Sequence, residues 1–213
     1  MIETIDNLVQ LFSLGIATVI ALIFALHTKA RTWILLFLFI GLFLLGDVYW
    51  FLYLFFYDGA SPVFYIAYFS WDAADLFLMI LLLFIRQEKG LFNRTSSDRR
   101  LFILVIIFTL GMCVFYMTYG SYISNLVTAF LMTGLIWHSL DGLLRLRGEH
   151  ESEGGRRYIY LVTLLFCFLE YGLWTSSCFW MGDTIANVYF WFDFLLSVTF
   201  LLFIPALRKA VNG

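Results

Sequence analysis

The sequence predicts an all-α, polytopic membrane protein of seven transmembrane helices, with the N-terminus outside and the C-terminus in the cytoplasm. Three observations carry this. Of 213 residues, 62% are hydrophobic and 13% charged, more apolar side chain than one soluble domain of this size can hide from water. Seven stretches, at about 8–27, 33–57, 64–85, 101–118, 121–143, 158–180 and 185–207, each hold the roughly 20 mainly apolar residues that a bilayer crossing requires. All 13 Lys and Arg, from Lys29 and Arg31 to Arg208 and Lys209, fall in the first, third or fifth connection or the C-terminal tail, whereas Glu3, Asp6, Asp58 and Asp183 mark the other side. The positive-inside rule then gives one orientation, with the cationic face in the cytoplasm of a plasma (cytoplasmic) membrane.

The remaining composition agrees. Phe occurs 25 times and Pro twice, which suits long helices and argues against disorder and against a β-barrel, whose strands alternate polar and apolar residues. The first helix has no Lys or Arg in residues 1–7 and no convincing small-residue cleavage site before Lys29, so it is expected to be retained rather than removed as a signal peptide. Cys113, Cys167 and Cys178 lack metal-ligand spacing and are expected to pack as apolar residues.

Within a single domain covering 1–213, residues 1–90 form one three-helix unit, 101–118 a connector helix, and 121–213 a second three-helix unit. Ile5-Asp6-Asn7-Leu8-Val9 matches Ile123-Ser124-Asn125-Leu126-Val127. Leu45 to Trp50 faces Leu169 to Trp174, and Tyr68 to Asp72 faces Tyr189 to Asp193. One helix between the halves makes this a parallel repeat about an axis along the membrane normal. The inner connections, Arg86 to Arg100 and Arg145 to Arg157, are the extended polar segments. The acidic run Gly148 to Gly155 between Arg pairs reads as a solvated linker, and the flanking arginines suit anionic lipid headgroups.

Six acids lie inside the predicted spans: Asp47, Asp72, Asp75, Asp141, Glu170 and Asp193. Ionisable groups at membrane depth usually face the bundle interior and mark a site, although some are structural hydrogen-bonding residues. Asp141, near the inner end of the fifth helix, is placed to reach water, and His138 at i−3 is placed to share a local hydrogen bond with it. Asp72 and Asp193 lie about 12 Å below the outer face, and Asp47 and Glu170 about 15 Å below it, at 1.5 Å per residue. Asp75 sits one turn below Asp72 on the same face. Carboxylates converging in low dielectric cannot all carry charge, so such a layer needs protons, a cation or hydrogen-bond donors.

Trp50, Trp71, Trp174, Trp180 and Trp191, with Tyr49, Tyr53 and Tyr68, concentrate in the same outer half. Acids beside aromatic faces suit an organic cation held by charge and cation–π attraction; an interfacial aromatic belt is the other explanation. The candidate ligand-binding set is Asp47, Trp50, Trp71, Asp72, Asp75, Glu170, Trp174, Trp191 and Asp193. No metal or cofactor is expected. The seventh helix has no lysine before Lys209 for a retinal Schiff base, and His27, His138 and His150 show no HxxxH pairing of the kind seven-helix zinc hydrolases use. Nucleotide-loop, nucleophile-elbow and nucleic-acid-binding patterns are missing as well.

Gly46-Asp47-Val48-Tyr49, followed by Asp58-Gly59 and then Ser70-Trp71-Asp72-Ala73-Ala74-Asp75-Leu76, resembles the multi-helix membrane sensor modules that precede diguanylate cyclase and histidine kinase domains in bacteria. The resemblance implies a sensory or ligand-binding role without catalysis. No output domain follows Lys209, so the expectation is signalling through a cytoplasmic protein partner. Gly46-Asp47 is also similar to the Gly-Asp of lysoplasmalogenase-type membrane hydrolases, which implies a lipid-headgroup hydrolase with Asp47 and Glu170 as acid and base. That reading ranks second, and a small-solute or proton-coupled transporter third.

Overall fold

A computed structural model describes residues 1–56, 65–88, 99–146 and 154–212. These residues form α1 (Ile2–Thr28), α2 (Arg31–Phe56), α3 (Tyr65–Glu88), α4 (Arg99–Tyr116), α5 (Tyr122–Arg145), α6 (Gly154–Cys178) and α7 (Val188–Asn212), with no strand among them. All seven helices are long and apolar enough to cross a membrane, which suggests a multi-pass membrane protein. The Asp58-Gly59 turn and the acidic run from Glu149 to Glu153 lie outside the described residues.

Helix α1 carries the pattern of a lipid-facing helix. Its buried residues, Asn7, Gln10, Leu14, Ala17, Ala21 and Ala25, recur every three or four positions and form one face. The opposite face is Phe12, Ile16, Val19, Ile23 and Leu26, all exposed. Amides inside and large hydrocarbons outside invert the pattern of a water-soluble helix. The alanines let neighbouring backbones approach closely, which is how helices pack where lipid removes the hydrophobic drive.

Local chemistry sets the helix ends. Lys29 adopts a left-handed conformation (φ 53°) and donates its backbone N–H to Ala25 O at 2.9 Å, ending α1 so tightly that α2 begins two residues later. Asn187 caps α7: its side-chain oxygen accepts the Tyr189 N–H at 3.1 Å, and its amide donates to Gly182 O at 2.9 Å. Asp183 holds the start of α1 by accepting from the Met1 ammonium and, at 2.8 Å, from the Glu3 backbone N–H. The ammonium first and the amide second keep the Asp183 carboxyl below its ordinary range.

Six helices close a ring in the order α1, α2, α3, α5, α6, α7 and back to α1, and α2 also touches α7 across the middle. Helix α4 packs on α5, stapled by a 2.7 Å hydrogen bond between the hydroxyls of Thr109 and Thr133. The ring is filled at mid-height by Phe39 and Phe43 of α2, Phe166 of α6, and Phe200 and Phe203 of α7. Edge-to-face pairs such as Phe39 with Phe166 (centroids 5.5 Å) and with Phe203 (5.1 Å) hold them.

At the basic end the structure corrects two expectations. Asp141 does not reach water: it is fully buried, and its Oδ2 accepts from Arg86 of α3 at 2.6 Å and from Arg145 at 2.8 Å. Nor does it bond to His138, whose Nδ1 instead lies 3.4 Å from Arg86. Arg86 is therefore part of α3 and buried, rather than a loop cation. Nearby, a Cβ on Gly155 of α6 would stand 2.2 Å from the Lys209 carbonyl oxygen of α7, so the two backbones meet there through a bare glycine. Gly155→Ala is expected to destabilise the bundle by about 1–3 kcal/mol, since backbone must move to admit the methyl. Gly111→Ala, where nothing lies within 4 Å, should not. Thermal unfolding in detergent compares the two.

Candidate functional site

Opposite the arginines, a cavity of about 520 Å³ runs between α1, α2, α3, α4, α5 and α6, with Tyr189 of α7 at its edge. It reaches the surface at Gly120 and Ser121, in the α4–α5 turn, and at Trp180. Asp47, Asp72, Asp75 and Glu170 all line it, as do Trp50, Tyr68, Trp71 and Trp174. Its floor includes Phe43 and Met132 and meets the Phe cluster of the ring.

The Gly46-Asp47 dipeptide explains how the wall is made. A Cβ at position 46 would fall 2.5 Å from the Trp71 indole nitrogen. Glycine therefore lets the α3 indole lie directly on α2, where its Nε1 donates to Asp47 Oδ1 at 2.8 Å. Ser70 fixes the same seam by donating to Leu42 O at 2.7 Å. On α6, Trp174 Nε1 donates to Glu170 Oε2 at 3.0 Å, one turn apart. The indoles of Trp71 and Trp174 then meet each other, centroids 6.0 Å apart, and Tyr68 stacks on Trp174 at 5.8 Å. Two carboxylates are thus each hydrogen-bonded to a tryptophan of one aromatic cluster.

Each indole satisfies only one oxygen. Asp47 Oδ2, Asp75 Oδ1 and Glu170 Oε1 are buried without a hydrogen-bond partner, and these residues are only 5% exposed. Asp72, higher in the cavity and partly exposed, accepts from Thr128 of α5 at 3.0 Å. With Glu3 near the mouth the lining carries five acids and, among the described residues, no Lys, Arg or His. Such a lining attracts cations and repels anions. Among the described residues no three His, Cys, Asp or Glu side chains converge as metal ligands do.

Two residues of the candidate set are not brought into the cavity. Asp193 is buried in the α1–α7 seam, where Gln10 Nε2 donates to its Oδ1 at 2.8 Å, and Trp191 lies on the outer surface, donating to Ile185 O at 3.0 Å. The structure adds residues that the acid and aromatic patterns passed over: Asn7 and Gln10 from α1, Thr128 from α5, and Tyr116 and Tyr171 from α4 and α6. A signal for them existed. Extending the Ile5-to-Val9 match by one residue aligns Gln10 with Thr128.

No protein-family model, curated protein or solved structure matches the chain, so the site is read from its own residues.

Proposed function

We propose that the chain is a multi-pass cytoplasmic-membrane protein of the sensory or ligand-binding kind, holding an organic cation in a cavity that faces outside and answering to a cytoplasmic protein partner. The observation that carries this reading is the set of three buried carboxylates, Asp47, Asp75 and Glu170, which line a cavity walled by Trp and Tyr and each keep one buried oxygen without a hydrogen-bond partner. An ammonium group supplies the missing charge and donors, and the aromatic faces add cation–π attraction. The outward orientation rests on the segregation of Lys and Arg to the other end.

The parallel repeat is supported by matched contacts. Tyr68 to Asp72 aligns with Tyr189 to Asp193, and Gln10 aligns with Thr128. The Gln10–Asp193 bond across the α1–α7 seam is therefore the counterpart of the Thr128–Asp72 bond across the α5–α3 seam. The ring order agrees, because α1, α2, α3 and α5, α6, α7 follow one another in the same sense. Trp71 and Phe192, aligned as well, each lie over a helix glycine, Gly46 and Gly172. That contact sets α2 against α6 two residues away from the sequence match, so Asp47 and Glu170 are neighbours in one cavity rather than strict equivalents.

The hydrolase reading keeps one favourable observation, that Asp47 and Glu170 both open onto the same space. Against it stands a lining that repels a lipid phosphate. Transport would require a path through the mid-height Phe cluster.

The test uses the whole chain in lipid nanodiscs, with tryptophan fluorescence and calorimetry. Saturable binding of simple alkylammonium or tetramethylammonium ions is expected, with neutral isosteres inert. Absence of saturable binding across the ammonium series refutes the reading, and release of product from a lysophospholipid would put the hydrolase in its place. In intact cells Ser121→Cys should label with an impermeant thiol reagent, whereas Arg208→Cys should label only after the membrane is opened.

A further inference from the structure

Resting on the cation reading above, we infer that the cavity selects a linear aliphatic diamine or polyamine rather than a single ammonium ion. The acids occupy two levels. Asp47 of α2, Asp75 of α3 and Glu170 of α6 line the low end of the cavity, each with one buried oxygen that has no partner. Asp72 stands one helical turn, about 5 Å, further out on α3, against Thr128 and close to Tyr68.

One ammonium group has a single charge and at most three N–H donors. Placed among the lower three carboxylates it leaves the upper one unanswered. A second amine, joined to the first by a few methylenes, reaches the upper level within the same cavity. The methylene chain then runs beside the Trp71 and Trp174 rings, which meet each other in the wall of the same cavity. The volume of about 520 Å³ is ample for a molecule of this length. Glu3 near the mouth extends the acidic track toward the surface and steers a multivalent cation inward.

The experiment titrates the full-length protein in nanodiscs with tetramethylammonium, butylamine and 1,4-diaminobutane at equal ionic strength. The diamine should bind at least about tenfold more tightly than butylamine, the gain from one further desolvated charge pair. Asp72→Asn should bring that ratio close to one. Equal affinity of butylamine and diaminobutane, or a ratio that survives Asp72→Asn, overturns the inference while leaving cation binding in place. If none of the three cations binds, the cation reading itself falls. Should Asp72→Asn fail to fold, the ratio measured on the unaltered chain decides.

Discussion

Asp47→Asn is expected to lower ammonium affinity about a hundredfold while leaving the bundle folded. The substitution keeps the side-chain shape and retains an oxygen to accept from Trp71 Nε1, whose 2.8 Å bond ties α3 to α2. Gly46 still admits the indole, so the seam is unaltered. What disappears is the negative charge behind Oδ2, the oxygen that has no partner of its own. Losing one member of a buried charge pair costs about 2–5 kcal/mol in binding, and a hundredfold corresponds to roughly 2.7 kcal/mol. Trp71→Phe separates the structural from the ligand-binding role: it preserves the charge but takes away the donor to Oδ1. Titration of a single ammonium ligand into both variants, with their unfolding midpoints, checks the difference. Unchanged affinity in a folded Asp47→Asn protein would remove Asp47 from the ligand contacts.

The sequence revealed depth well and direction poorly. Seven apolar runs placed seven helices because a bilayer imposes a minimum length on each one. Depth arithmetic also placed Asp47, Asp72, Glu170 and Asp193 in one layer, with Asp75 a turn below, and the structure brings all of these but Asp193 to one cavity. Asp193 shares their depth yet turns into the α1–α7 seam, and Trp191, two residues before it, points to the outside. In helices that are apolar nearly all round, hydrophobic periodicity carries little information on which face meets which neighbour. Polar residues supply that information here: Gln10 and Thr128 each identify the acid-bearing helix they pack against. The inner end failed for a related reason. A hydropathy window closes at the first charge, so Arg86 reads as loop and Asp141 as a wet residue. Their pairing spans 55 positions of chain and becomes visible only when α3 and α5 are placed side by side.

Asp141→Ala is expected to cost about 3–5 kcal/mol of stability, the largest loss from one side chain in this bundle, because it withdraws the carboxylate that two buried guanidiniums face. Arg145 reaches it from one turn along α5, but Arg86 comes from α3, so the 2.6 Å contact ties together two helices of the ring. Desolvating these ions was already expensive; removing the acid alone keeps that expense and discards the compensation. The paired change Asp141→Leu with Arg86→Leu should recover the part of the loss that belongs to Arg86, since well-packed hydrocarbon often replaces a buried ion pair at little net cost, while Arg145 still loses its carboxylate. Unfolding of Asp141→Leu, Arg86→Leu and the double variant in mixed micelles gives the coupling energy directly. Strictly additive losses would mean that the contact contributes nothing beyond its separate parts. A large coupling would make this ion pair the clamp of the α3–α5 seam at the basic end, whose counterpart at the other end is the Thr128–Asp72 bond beside the cavity. The seam that shapes the cavity would then be held at both ends by polar contacts, with apolar residues such as Leu78, Leu82, Met132 and Leu135 filling the buried core around it.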